Sequence, residues 1–182
     1  MKNIEIIKRI SPNSLDHKGN LKSIEKQFLE YEYGLKKDSL PFVVNEQSNK
    51  LKYAEFKNNP LVINVSTIEK LKNKHELDLK FLIGIDNIIE NSIFAFDSLK
   101  HESSKIFVTD IIINDNPLIF IARNDKQMSV FNVNEITSIY DRNNLQNLIH
   151  RTIEQGGKAY INPEKRKEFE EMGYDIKPKI NN

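Results

Sequence analysis

The chain has 182 residues, 38% hydrophobic and 29% charged, with 6 Gly and 6 Pro, which excludes collagen-like and wholly disordered classes. Its 27 Lys plus Arg balance 26 Asp plus Glu, so a nucleic-acid or membrane-surface partner has to be met by a local patch, not by net charge. There is no Cys, which excludes disulfides, thiol catalysis and cysteine-ligated metal. Met1-Lys2-Asn3-Ile4-Glu5 opens without the apolar run of a signal peptide, and no stretch approaches the roughly 18 apolar residues of a membrane span. The expectation is a cytoplasmic globular domain with no membrane partner.

Residues 1–57 are dense in Lys, Glu, Asn and Ser, with a turn cluster at Ser11-Pro12-Asn13-Ser14. Leu21, Ile24, Phe28 and Tyr31 recur at helical steps, with Asn20 as N-cap, and predict a helix over 21–37. Polar composition marks this segment as an N-terminal appendage, helical or extended, separate from the remainder of the chain. From Pro60 the signal sharpens. Leu61 to Val65 reads as a strand, Ser66 or Thr67 caps a helix to about Glu76, and Asp78 caps another carrying Leu79, Leu82, Ile83 and Ile89. Strand-like runs then cover 93–96, 105–113, 117–122 and 128–140, with turns at Asn114-Asp115-Asn116-Pro117 and Asn124-Asp125-Lys126.

Strands joined by such short turns are antiparallel, because a parallel pair needs a crossover of a dozen or more residues. Asp141 or Asn143 caps a helix to about Gln155, faced by Leu145, Leu148, Ile149 and Ile153 and ended by Gly156-Gly157. A short strand over 158–161 comes next, and Asn162-Pro163 starts a charged helix that Gly173 stops. The fold class is α+β: N-terminal helices packed on an antiparallel β-meander, followed by helix, short strand and helix. The main domain spans 58–162, and 163–182 form a charged C-terminal helix and tail.

Four histidines stand at 17, 75, 101 and 150. His75 shares the stripe of Ile68 and Leu71 near the end of its helix, where the dipole favours an imidazolium. Two roles fit it: an acid or phosphate contact, or a histidine satisfying frayed carbonyls. His101 falls in a charged turn. No pair of histidines has the i, i+3 or i, i+4 spacing of two metal ligands on a helix, so neither a metal nor another cofactor is expected. The strand end Asn134-Glu135-Ile136-Thr137-Ser138-Ile139-Tyr140 places Ile136, Ser138 and Tyr140 on one face and Thr137 with Ile139 on the other, if it stays regular. Ser138 and Tyr140 then offer hydroxyls to a phosphate, with Arg142 adding charge, or simply reflect β-propensity. Lys158 and Tyr160 either face a phosphate or solvate an edge strand. No nucleophile elbow, P-loop or dinucleotide fingerprint is present.

The succession Pro60-Leu61-Val62-Ile63, Lys74-His75-Glu76-Leu77, Ile93-Phe94-Ala95-Phe96, Val108-Thr109-Asp110-Ile111 and Ile136-Thr137-Ser138-Ile139-Tyr140 resembles the C-terminal toxin-like domain of phage MuF head-morphogenesis proteins, in the barnase–EndoU–colicin–RelE-like nuclease superfamily. The resemblance covers about 58–162; Asp141 stands where the pattern commonly has Gly. It implies a metal-independent RNase acting by 2′-hydroxyl transesterification. His75, Ser138 and Tyr140 would be its catalytic residues, and Lys74, Thr137, Arg142 and Lys158 its substrate contacts. It implies RNA as partner, leaves a cognate immunity or antitoxin protein open, and implies action in a bacterial host's cytoplasm, reached there or with a phage particle. Two alternatives remain: a non-catalytic phage structural or adaptor module of the same fold, and a protein-binding regulator.

Overall fold

In the computed structural model, which describes residues 2–75 and 83–177, α1 (Asn3–Ile10) and α2 (Ile24–Glu32) precede strand β1 (Phe42–Asn45). A 3-10 turn over Asn49–Ala54 leads to β2 (Leu61–Ile63), then to helices α3 (Val65–His75) and α4 (Ile85–Glu90). Four strands come after them, β3 (Ser92–Asp97), β4 (Ser104–Ile113), β5 (Asn116–Met128) and β6 (Phe131–Asp141). Helix α5 (Leu145–Glu154), strand β7 (Ala159–Ile161) and helix α6 (Arg166–Met172) complete the order. The fold is α+β, with one seven-stranded sheet in the order β1-β2-β6-β5-β4-β3-β7. The meander from β3 to β6 is antiparallel, as are the two edge pairings; among the described strands β2 alone runs parallel to a neighbour, β6. The chain between β2 and β6 is long enough for that parallel return.

Local chemistry explains the boundaries. Ser23, not Asn20, caps α2, its hydroxyl accepting from Lys26 N at 3.2 Å. Helix α3 begins at Val65, one residue ahead of the expected Ser66 cap, and the Asn64 carbonyl accepts from Ile68 N at 3.1 Å. The expected cap Asp78 lies outside the described residues; of the stretch expected to be helical after it, Ile85–Glu90 form α4, which has Gly84 as its N-cap and buries Ile85, Ile88 and Ile89. Asn144, not Asp141 or Asn143, precedes α5, since Asp141 still pairs within β6. Asn162 accepts from Glu164 N at 3.1 Å, and Gly173, at φ 69°, ends α6.

Asn114 and Asp115 have φ of 49° and 61° and close the tight turn between β4 and β5. The second expected turn, at Asn124-Asp125-Lys126, is instead an irregularity within β5, which continues to Met128 before turning at Ser129-Val130. Side chains hold Asp125 at φ 54°: its N–H donates to Asn134 Oδ1 at 2.9 Å, and its carboxylate accepts from Lys57, Asn59 and Asn132. The Lys57 contact keeps the Asp125 carboxyl below its usual range.

Each face of the sheet carries its own apolar layer. Helices α2, α3 and α4 cover Phe42, Ala95, Phe107, Phe120 and Ile136, with Phe107 and Phe120 stacked at 4.7 Å. On the other face α5 and α6 bring Leu145, Ile149 and Phe169 onto Phe94, Phe96, Ile106 and Ile119. The first 57 residues do not stand apart. They supply β1 to the sheet and the fully buried Phe28, Phe42 and Leu51 to its first layer, while Ile7 and Ile10 of α1 pack on Val43, Val62 and Val133. Their polar composition belongs to an outer surface laid over an apolar stripe. Among the described residues, no helix is long and apolar enough to cross a membrane.

Burying a large apolar side chain contributes about 2 kcal/mol, so losing Phe28, Phe42 and Leu51 alone costs roughly 6 kcal/mol, within the usual total stability of a domain. Deletion of residues 2–57 is therefore expected to abolish a cooperative thermal transition. At the other edge, a Cβ added to Gly157 would stand 2.6 Å from Thr152 Cγ2 and 2.9 Å from the Thr152 carbonyl oxygen. Gly157→Ala should lower stability by about 1–3 kcal/mol in denaturant titration, because a backbone atom has to move.

Candidate functional site

Strand β6 is flanked unequally. Leu61, Val62 and Ile63 of β2 pair with Asn134, Glu135 and Ile136, and β2 then ends in α3; residues 137–141 of β6 pair with β5 alone. Opposite that step the register slips: Ile121 faces Ser138 while Ala122 faces Ile136, leaving Thr137 as the extra residue of a bulge. The expected regular alternation therefore fails here. Ile136 and Ile139 both enter the same apolar layer, which a three-residue separation allows only through a bulge. Thr137, Ser138 and Tyr140 instead line one cleft of ≈ 370 Å³.

Lys70 on α3 and the turn between β3 and β4, with Ser98, Lys100 and His101, complete the lining. Among the described residues neither Lys70 nor Lys100 is engaged in an ion pair, and no carboxylate lines the cleft. Thr137 Oγ1 donates to the Ile121 carbonyl at 3.3 Å, and Ser138 and Tyr140 are half-buried. The two ammonium groups, without an ion pair among the described residues, and the strand hydroxyls give the cleft a cationic, polar lining.

The residues expected from sequence divide accordingly. Ser138, Tyr140 and Thr137 are together in the cleft. Lys74 and His75 are the last two residues of α3, roughly 6–8 Å further along its axis than Lys70; their side chains lie outside the described part of the structure. Arg142 is past the end of β6, where its N–H donates to the Pro117 carbonyl at 3.0 Å, and it does not line the cleft; its Nε is buried without a hydrogen-bond partner among the described residues. Lys158 precedes β7, four strand positions from β6, or about 19 Å by strand spacing. It binds Asp97 through its backbone, N to Oδ2 at 2.8 Å. Lys70, Lys100 and His101 were not legible as site residues, because only the fold of a distant turn and a helix flank brings them to β6. Among the described residues no group of three or more His, Asp or Glu is gathered to hold a metal ion.

The far half of β6 carries the cleft and the near half anchors it. Asn134 is fully buried; its Nδ2 donates to Ser48 Oγ at 2.8 Å and to the Lys57 carbonyl at 2.7 Å. Beside it the buried Glu135 accepts from Lys126 Nζ at 2.6 Å and from Asn64, the residue that leads into α3. The register of β6 and the start of α3 are thus fixed by adjacent side chains.

Fold and cleft together define an α+β domain with a cationic, hydroxyl-lined recess at the uncovered flank of a bulged strand. The chain belongs to the phage MuF C-terminal domain family, whose model matches residues 66–168. That span begins and ends a few residues later than the resemblance in the sequence suggested. Comparison with curated proteins gave no match, and comparison with solved structures gave none.

Asn134→Ala should cost about 3 kcal/mol in denaturant titration, since it strips partners from the buried Ser48 hydroxyl, the Lys57 carbonyl and the Asp125 N–H.

Proposed function

We propose that this domain is a metal-independent ribonuclease that cleaves by transesterification, and that the cleft at Thr137, Ser138 and Tyr140 holds the scissile phosphate. The observation that carries the reading is the pairing of Lys70 and Lys100 with strand hydroxyls in a recess where, among the described residues, neither lysine has an ion pair and no carboxylate lines the wall. A phosphodiester gains negative charge as it passes to a phosphorane, and fixed cations and donors around it lower that barrier. In the reaction the ribose 2′-oxygen bonds to phosphorus and loses its proton to a base. The bond from phosphorus to the 5′-oxygen breaks, and that oxygen takes a proton from an acid, leaving a 2′,3′-cyclic phosphate and a 5′-hydroxyl.

In this reading Ser138 and Tyr140 contact the phosphate, Lys70 and Lys100 neutralise it, and His75 at the end of α3 exchanges a proton with it. Lys74 is a further substrate contact. Arg142 and Lys158 take no part in the cleft. RNA as substrate puts the site of action in a bacterial cytoplasm, entered from within or with a phage particle. The near balance of charge fits a site that cradles a few phosphates more than one that grips a long duplex.

The test is incubation of the full chain with total bacterial RNA in excess EDTA, followed by analysis of the product ends. Cyclic phosphate and 5′-hydroxyl termini are expected. His75→Ala should lower the rate about 10²–10⁴-fold and Lys70→Ala about 10²-fold, both with the thermal midpoint nearly unchanged. Intact RNA would favour the non-catalytic module instead, and products with 5′-phosphates would rule out transesterification while leaving a nuclease of another mechanism.

A further inference from the structure

Resting on the cleavage reading above, we infer that His101, at the tip of the turn between β3 and β4, is a second proton-transfer residue of this cleft. Its position is the reason. His101 lines the cleft with Ser138 and Tyr140, and it also lines a neighbouring depression of ≈ 360 Å³ shared with Glu102, Ser103 and Arg123. His101 therefore stands where the two recesses adjoin. A single strand of RNA laid across that wall keeps the scissile phosphate beside Lys70 and Lys100 and carries its neighbouring phosphate toward Arg123. The Nε of Arg123 is buried and has no hydrogen-bond partner among the described residues.

The turn holds this residue in place without using its side chain. Ser98 N donates to the Ser104 carbonyl at 2.9 Å, Ser104 N donates to the His101 carbonyl at 2.9 Å, and Asn124 N donates to the Ser103 carbonyl at 2.8 Å. His101 itself is exposed, and among the described residues no hydrogen bond or ion pair engages its ring. His150 differs, being tied to Gln146 at 2.8 Å and lying 4.0 Å from Asp175. An exposed histidine on a fixed backbone, lining a recess with two lysines, is placed for general acid–base work.

Transesterification needs two proton transfers, one from the 2′-oxygen and one to the 5′-oxygen. With His75 performing one, His101 performs the other. The charged and titratable groups around it are Lys100 and Glu102 on its own turn, Lys70 from α3, Arg123 from β5 and Tyr140 from β6.

The experiment compares the full chain with His101→Ala on a short single-stranded RNA in EDTA. Its arms are added imidazole, a pH series, and binding of the 2′-deoxy version of the same oligonucleotide. Expected are a loss of rate of about 10²–10⁴-fold, partial recovery with imidazole, disappearance of one limb of the pH–rate profile, and oligonucleotide affinity within a few fold of the unaltered protein. Rate retained in His101→Ala overturns the inference and leaves the cleavage reading standing. A loss that imidazole does not relieve, with oligonucleotide affinity lost in parallel, also overturns it, because His101 would then only bind. No cleavage by the unaltered chain overturns the cleavage reading itself and the inference with it.

Discussion

Strand β6 is paired with β5 along nearly its whole length and with β2 along only three residues, and the arrangement of the site depends on that inequality. Where β2 stops, the chain turns into α3, and beyond Ile136 the flank of β6 that β2 would otherwise cover has no strand paired to it among the described residues. The bulge at Thr137 lies at the same step. One extra residue sends Ile136 and Ile139 into the same apolar layer and turns the hydroxyl residues around it toward the open flank. A strand of regular alternation could not bury both isoleucines and still present Thr137, Ser138 and Tyr140 together.

Buried polar groups hold this arrangement, and they find their partners inside the protein. Asn134 ties β6 to the loops before β2 and to the irregularity of β5, while Glu135 joins Lys126 to the residue that opens α3. At the far edge of the sheet a second network does similar work. The buried Lys105 donates from Nζ to Asp97 at 3.0 Å and to the Tyr160 hydroxyl at 2.7 Å, joining β4, β3 and β7. Burial, reinforced by the charges of Asp97 and Glu55, pushes the Tyr160 phenol well above its ordinary range, so it stays a neutral hydrogen-bonding group. The cation and ring that the sequence suggests for a phosphate surface at 158–160 are thus set at an edge whose Lys105 and Tyr160 are occupied with each other.

From β2 onward the order of elements was legible because each depends on its own neighbours. Apolar spacing marked α5, the Asn-Asp turn after Ile113 marked the start of β5, and Asn162-Pro163 with Gly173 framed the last helix. The Asn124-Asp125-Lys126 turn failed for a reason no local pattern contains: Asn134 and Lys57, from elsewhere in the chain, hold Asp125 inside a strand. Residues 1–57 misled in the same way, since Phe28, Phe42 and Leu51 are a small fraction of a polar segment yet enter the core completely.

By itself the sequence determined the α+β class, the antiparallel meander, the family, and the hydroxyl-bearing end of β6, because periodicity, turn residues and short motifs are properties of contiguous chain. The tertiary structure decided that β2 lies parallel beside β6, that a bulge gathers Thr137, Ser138 and Tyr140 on one side, and that Lys70, Lys100 and His101 come to meet them. It also decided that Arg142 and Lys158 lie outside that cleft. Those outcomes depend on which residues of β2 and β6 find each other and on where one extra residue is absorbed. Both are settled by simultaneous burial of the two apolar layers and satisfaction of the polar groups between them, and no single segment of the chain carries that information.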